Sequence, residues 1–510
     1  MSKFCAPRQV ESPIDMYRIA SSARVNSLKS KDQFRCICKA RSSFSTTAQS
    51  HAPSANSQYL KVTHSDETAP TDTLQSLARH ARYTLNTYVR PPIMFESGKG
   101  MYLHDTQGRE YLDMSAGIAV NALGHSDEGV AEAMSKQARR LVHVSNLYHN
   151  EWAGELAQLL VESTIASGGL GTSSDTFQSR ADKDTTSGLK VFFANSGTEA
   201  NEGALKFVRK YGKLTAEQHP KLHGKVSPHD KVEVVAFRDG FHGRSMGALS
   251  VTLQEKYQAP FAPLIPEIMP GQLNDIESIN KVVTEKTCGV IVEPIQGEGG
   301  ILEATEEFMR ALRKRCDEVG AALIFDEIQC GLGRTGKLWA HCEFPADCHP
   351  DIVTMAKPLA NGMPIGAILM TDKIADIVKI GDHGTTFGGG PLQTCVGHHV
   401  VSRITKPEFL DHVKTVGAQL KQRLSALPEL FPKLVTGDIR GRGLILGVPF
   451  ASDGLPPKVA KMCRERGVIV LTCGKATLRF VPSLIIEKAQ IDHACDVLES
   501  VLTVIQQEAH

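Results

Sequence analysis

Leu189-Lys190-Val191-Phe192-Phe193-Ala194-Asn195-Ser196-Gly197-Thr198-Glu199-Ala200-Asn201 is the stretch on which the fold turns. A short apolar run ends in a small, hydroxyl-rich turn, and a helical pattern begins at once. Ala200, Ala204, Phe207 and Val208 recur at helical spacing through residues 199–211. The unpaired N–H groups and positive dipole end of such a helix favour a phosphate, with Ser196 and Thr198 as further donors. A plain N-cap accounts for the same residues, so the turn needs support from elsewhere in the chain.

Downstream the pattern repeats. Apolar runs at 189–194, 232–237, 289–292, 321–325, 352–355 and 365–370 are mostly β-branched and bounded by Gly, Pro, Asn or Asp. Those are marks of fully buried strands in a mostly parallel sheet. Amphipathic stretches such as 199–211 and 306–319 lie between them. The expected fold class is α/β, with an open sheet covered by helices on both faces and ligands gathered beyond the strands' carboxyl ends. After about Glu408 the pattern changes to a helix at 409–424, strands near 444–448 and 468–471, and a last helix at 491–505. This predicts a large domain over 114–405, a smaller α+β domain over 406–510, and a segment over 51–113 that joins the small domain or a partner subunit.

Residues 1–50 hold nine Lys or Arg against three acids and are rich in serine, the composition of an import peptide. The polar stretch 167–187 reads as a surface loop insertion. Across the whole chain, 57 basic and 56 acidic residues leave a net charge of +1, which gives no reason to invoke nucleic acid. No uninterrupted apolar run reaches membrane-spanning length. The 12 cysteines are scattered, without the paired spacing of a zinc site or a disulfide framework.

Two further segments carry chemistry. Leu323-Ile324-Phe325-Asp326-Glu327 brings two acids to a strand's carboxyl end, where a carboxylate can hold a metal, act as a base or pair with a cationic heterocycle. A metal lacks nearby histidines at useful spacing. Ile352-Val353-Thr354-Met355-Ala356-Lys357 places a lysine directly after an apolar run, where desolvation lowers its pKa and frees the amine to attack an aldehyde. A lysine at a strand end more often snorkels to solvent. Together, though, a phosphate-binding turn, an acid for a ring nitrogen and a buried amine are the three contacts that pyridoxal phosphate requires. Gly331-Leu332-Gly333-Arg334-Thr335-Gly336-Lys337-Leu338 has the glycine spacing of a nucleotide-binding loop, but Leu338 replaces the hydroxyl residue that Mg²⁺ needs.

Residues 196–201, Phe241-His242-Gly243-Arg244, Glu293-Pro294-Ile295-Gln296-Gly297-Glu298, Asp326-Glu327-Ile328-Gln329 and Ala356-Lys357 resemble the class III (ornithine/acetylornithine-type) aminotransferases over roughly residues 75–505. The resemblance implies a fold-type I homodimer with active sites at the subunit interface and pyridoxal 5'-phosphate as cofactor. It makes Lys357 the Schiff-base lysine and Asp326 the partner of the ring nitrogen. Ser196, Gly197 and Thr198 fall at the phosphate, Phe241 on the ring face, and Gln329 near the ring's phenolic oxygen. Thr386 would reach the phosphate of the neighbouring subunit, and Thr385 the substrate. Arg244 is implied as the main carboxylate anchor, and Arg479 as a second one masked by Glu298 when the other substrate is bound. Residues 111–125 are similar to the acetylornithine-using, mitochondrial subgroup, which implies N2-acetylornithine and 2-oxoglutarate as substrates and the mitochondrial matrix as location. Ornithine or 4-aminobutyrate as donor, and a catalytically silent scaffold, are the alternatives. One departure stands out: Gly390 in Gly388-Gly389-Gly390-Pro391, where the family commonly has Asn.

Overall fold

A computed structural model describes residues 59–172 and 188–508. The proposed import peptide lies outside the described residues, as does most of the insertion, 173–187.

The centre is a seven-stranded sheet built from β1 (Leu189–Ala194), β2 (Glu233–Phe237), β3 (Ile268–Gly271), β4 (Thr287–Val292), β5 (Ala322–Asp326), β6 (Ile352–Met355) and β7 (Gly366–Thr371), in the spatial order β1-β7-β6-β5-β4-β2-β3. Six strands run parallel. Only β7 runs against its neighbours, pairing antiparallel with both β6 and β1. Alternation along the strands explains why they are apolar throughout. Val234, Ala236, Ile291 and Ile324 pack against Ala200, Ala204, Phe207 and Val208 of helix α1 (Gly197–Gln218). Val235, Phe237, Val290, Val292, Leu323 and Phe325 face the other way, onto Phe308, Met309 and Leu312 of helix α2 (Glu306–Val319). Burying both sheet faces removes the polar alternation that a half-exposed strand would show.

The predicted strand at 468–471 breaks in two. Val468–Ile469 pairs in parallel with Glu110–Asp113, whereas Leu471–Cys473 joins an antiparallel sheet with Thr477–Phe480. The apolar run is therefore shared between two sheets, a division that periodicity does not signal. Through the first pairing, strands Phe95–Lys99, Tyr102–Asp105 and Glu110–Asp113 are continuous with the C-terminal part of the chain. Helices Pro407–Ser425 and Lys488–Glu508 pack near them in the same apolar cluster.

Helix α1 lies close against the sheet because glycine occupies the contact on each side. A Cβ on Gly212 would meet the Cys288 Cβ at 2.3 Å, and one on Gly289 would meet Val208 Cγ2 at 2.5 Å. Since α1 begins at the functional turn, this spacing also sets the height of that turn above the sheet. Gly212→Ala is expected to destabilise the fold by about 1–3 kcal/mol through overpacking, read as a lower urea midpoint at unchanged slope; an unaffected midpoint would refute the close-packing argument.

Candidate active site

The carboxyl ends of β1, β2, β4, β5 and β6 deliver the predicted residues to one place, as a doubly covered sheet should. Asp326 ends β5 and is 3% exposed. Its Oδ2 accepts from Asn201 Nδ2 and His242 Nδ1, both at 2.8 Å, and its Oδ1 from the Ile328 N–H at 3.0 Å. Thr354 Oγ1 donates to Asn201 Oδ1 at 2.8 Å and fixes that amide. The carboxylate is thus oriented by donors from three segments. Burial opposes the charged form of His242, but the hydrogen bond and charge of Asp326 outweigh it and hold the imidazole pKa above its ordinary value. Folding carries His242 across 84 residues to Asp326, a neighbour that spacing along the chain does not signal. Among the described residues, no cluster of three or more His, Cys, Asp or Glu has the arrangement to hold a metal ion.

Lys357 starts a short 3-10 turn just beyond β6, after the unusual backbone of Ala356. It is half-buried. Desolvation lowers its pKa, Asp326 pulls it back up, and Arg479 adds to the lowering. The amine is therefore closer to its nucleophilic, unprotonated form than a surface lysine would be.

At the helix start, Ser196 caps α1: its Oγ accepts from the Glu199 N–H at 3.3 Å, while Glu199 Oε2 accepts from the Asn195 N–H at 2.7 Å. The cap uses the Ser196 oxygen as acceptor and leaves its proton free to donate, while Glu199 reaches back past the N-cap to Asn195. Thr198 Oγ1 shares a 2.6 Å hydrogen bond with Ser245 Oγ. Gly197 is small for a reason, since a Cβ there would strike Ile328 Cδ1 at 2.8 Å. Gly243 has φ +135°, and its missing side chain makes room for Thr198 Oγ1, which a Cβ would meet at 2.2 Å.

The two arginines differ. Arg244 is exposed and lies over Tyr257, Tyr88 and Phe241, at 5.2, 5.4 and 5.9 Å from the ring centroids, with Nη1 donating to Tyr88 Oη at 3.3 Å. No carboxylate of the described residues pairs with it, so its fork is open to a ligand. Arg479 is buried. Its Nη2 pairs with Glu298 Oε2 at 3.2 Å, while Nη1 donates to Gly297 O at 3.0 Å and Gln329 Oε1 at 3.1 Å. Thr385 is drawn toward the functional turn, its Oγ1 accepting from Asn195 Nδ2 at 2.8 Å, and Thr386 beside it is exposed.

Sequence reasoning gave no role to Asn201, His242, Ser245, Tyr88, Tyr257 or Glu293. Glu293 is the most consequential of these. Its two oxygens accept from the Phe241 and Gly297 N–H groups at 2.8 and 3.1 Å, joining the two loops that flank the site. The signal was its place in a motif, but nothing local showed what it would meet. The nucleotide-loop decoy also resolves. Residues 331–335 form turns and 336–339 a bend, followed only by the four-residue 3-10 helix Ala340–Glu343, and Arg334 is fully buried with Nη1 donating to Leu444 O and Pro482 O. Gly390 caps helix α3 (Pro391–Ile404) with φ −59° and ψ 143°, a conformation open to any residue, and its carbonyl accepts from Thr394. The departure therefore removes a side-chain cap and leaves the site's acid and amine untouched.

A buried carboxylate supplied with donors, a desolvated lysine and a hydroxyl-rich helix start fit the ring nitrogen, aldehyde and phosphate of pyridoxal phosphate. Residues 83–502 match the family described as aminotransferase class-III, and the chain belongs to it. That family works with pyridoxal phosphate. The chain is 49% identical to the mitochondrial acetylornithine aminotransferase of Yarrowia lipolytica, over 82% of this chain and 94% of that protein. It is 47% identical to that of Neurospora crassa, over 88% and 91%. Among solved structures, it is similar to the Toxoplasma gondii ornithine aminotransferase (27% identity, TM-score 0.74, covering 87% and 98%). It is also similar to the N-acetylornithine aminotransferase of Stenotrophomonas maltophilia (30%, 0.66, 85% and 99%).

Burial pushes the Glu293 carboxyl up to about 7; His242 draws it down and Asp326 adds to the rise. A raised carboxyl pKa means that the folded state binds the extra proton, so its stability contribution is full below the ordinary value of 4.5 and is lost as pH climbs through about 7. His242 has the same sign. Glu293→Gln is expected to flatten the fall in thermal midpoint across that window, and a slope equal to wild type would show that Glu293 does not titrate there.

Proposed function

We propose that this chain is an acetylornithine aminotransferase. It transfers the 5-amino group of N2-acetyl-L-ornithine to 2-oxoglutarate, giving N-acetyl-L-glutamate 5-semialdehyde and L-glutamate, in the arginine biosynthesis of the mitochondrial matrix. The observation that carries the chemistry is the desolvated Lys357 amine set among Asp326, Arg479 and Glu293 at the ends of parallel strands. Donor and location rest on the names of the relatives at 40–49% identity.

When bound, pyridoxal phosphate supplies an aldehyde for the amino group and an electron sink for the carbon that bears it. Ser196, Gly197, Thr198 and the start of α1 would hold its phosphate, Phe241 its ring face and Gln329 its phenolic edge. Asp326 would keep the ring nitrogen protonated, backed by Asn201 and His242. Lys357 Nζ takes the proton from the substrate carbon bearing the amino group and holds it for return, a role that suits an amine of lowered pKa. Arg244 grips the donor's carboxylate. For 2-oxoglutarate, Glu298 swings off Arg479, which then takes the second carboxylate of the acceptor; the 3.2 Å pair is the masked position.

A homodimer completes the site. Leu85, Val89, Leu147, Tyr148 and Phe387 are large apolar side chains between 58% and 103% exposed, far more than a monomer would leave in water. Phe387 adjoins Thr385 and Thr386, and in the dimer Thr386 would reach the partner's phosphate while Thr385 meets substrate.

Glutamate formation from 2-oxoglutarate should be fastest with N2-acetylornithine when it is offered beside ornithine and 4-aminobutyrate. A preference for either of the others would move the enzyme to another donor with the same chemistry. Lys357→Ala should lower turnover by more than about 10²-fold, the low end for loss of a general base; substantial residual transamination would remove Lys357 from its role. Arg244→Lys should raise the donor's KM about tenfold with kcat little changed, since an ammonium cannot make the forked contact. An unchanged KM would free Arg244 of the donor.

A further inference from the structure

Beside the loop that carries Glu298 lies a cleft of about 580 Å³, with Gly299 in its lining. Arg238, Lys256, Arg440 and Lys475 line it, against two acids, Asp239 and Glu255. A cationic rim by itself is ordinary solvated surface. Arg440 makes this one different. Its Nη2 donates to Thr477 Oγ1 at 2.6 Å, but its Nε is buried without a hydrogen-bond partner. Its Nη1 lies beside Gly300, 3.5 Å from where a Cβ on that residue would sit. None of the four cations makes an ion pair within 4.0 Å among the described residues. A partly buried guanidinium without a carboxylate is costly to keep, and desolvation holds its pKa below the ordinary arginine value. An oxyanion in the cleft would offset that cost.

The cleft is also tied to the substrate switch. The Gly474 N–H donates to Glu298 O at 2.7 Å, so the wall formed by residues 474–477 is hydrogen-bonded to the backbone of the masking carboxylate. Gly299 packs on the same wall, its carbonyl 3.0 Å from where a Cβ on Gly474 would stand. In this arrangement Glu298 covers Arg479.

We propose that this cleft binds a compact divalent oxyanion, a phosphate or a small dicarboxylate, and that occupancy holds the Glu298 loop in its masking position and so weakens binding of the acceptor. The second half of this inference rests on the reading that Arg479 receives the acceptor's carboxylate. The first half does not. The occupant bridges Arg440 and Lys475 on one wall and Lys256 and Arg238 on the other, a geometry that a monovalent ion would satisfy only in part. Its effect falls on the acceptor half-reaction because the wall at 474–477 is hydrogen-bonded to Glu298 itself, whereas Arg244 meets the cleft only through the ring of Tyr257, over which Lys256 also lies.

The test uses the holoenzyme at constant ionic strength, with inorganic phosphate and succinate titrated calorimetrically into wild type and a Lys256→Glu/Lys475→Glu double variant. Both substitutions are at exposed positions outside the catalytic machinery. Binding of phosphate, succinate or both to wild type, weakened at least about tenfold by the charge reversal, is the expected result, and the arm that responds names the occupant. In wild type the same anion should raise the KM for 2-oxoglutarate several-fold while leaving that for the donor unchanged, and the variant should lose this effect. Absence of binding, or binding and a KM rise that both survive charge reversal, would overturn the proposal. Failure to transaminate any donor would instead overturn the functional reading and leave the calorimetric arm intact.

Discussion

The active-site architecture depends on supplying one carboxylate with hydrogen-bond donors where water scarcely reaches. An ionised group as buried as Asp326 is tolerated only if its lone pairs are met by donors. Those donors come from far apart in the sequence: Asn201 from the first turns of α1, His242 from the loop after β2, and the N–H of Ile328 from its own turn. Each fixes the end of a different element relative to β5. Thr354 on β6 then closes the network by holding Asn201. Lys357 follows three residues later on that strand's exit, so the lysine is aligned by the same contacts that pay for the acid.

Strand alternation sorts the two adjacent acids. Asp326 turns toward the site, while Glu327 points to the other side, fully buried, and accepts from the Ala340 and His341 N–H groups and from His341 Nδ1. His341 Nε2 in turn accepts from the Leu170 N–H. Both are buried carboxylates supplied with donors, and only one faces the amine. The pattern continues outward, with Glu293, its carboxyl raised to about 7, beside His242 and Glu298 paired with Arg479. The Lys357 amine sits in that field, and its depressed pKa is the net of desolvation and opposing charges.

Most strands of the seven-stranded sheet were legible from the chain alone, because strands buried on both faces become short apolar runs and α2 matches its amphipathic stretch residue for residue. Helix α1 proved longer than its clearest periodic stretch, running on to Gln218, with Gly212, Thr215 and Ala216 buried beyond the apolar signal. The strand shared between two sheets at residues 468–473 was not legible, because the break is dictated by partners and not by local pattern. In the site, Lys357 and Asp326 could be read because each closes an apolar run. His242 and Glu293 could not, since a buried histidine or glutamate has no local mark: their roles exist only once loops from β2 and β4 meet.

On the roles proposed for the two arginines, one active site would accept two substrates of different charge. A donor with a single free carboxylate needs one guanidinium that is always available, and Arg244 has no competing anion, only aromatic faces that fix its plane without neutralising it. An acceptor with two carboxylates needs a second cation, yet a permanently bare guanidinium at the depth of Arg479 would be expensive to desolvate. Glu298 resolves the conflict because it neutralises Arg479 from a loop, is itself a quarter exposed, and can leave toward solvent at small cost. Gln329 and Gly297 O also hold Arg479, so the guanidinium would keep its orientation on the departure of Glu298 that the proposal requires. The masking residue must therefore be a mobile carboxylate on a glycine-rich loop. A rigid aspartate on a strand would bind Arg479 too well to exchange, and an amide would leave the charge bare throughout the cycle.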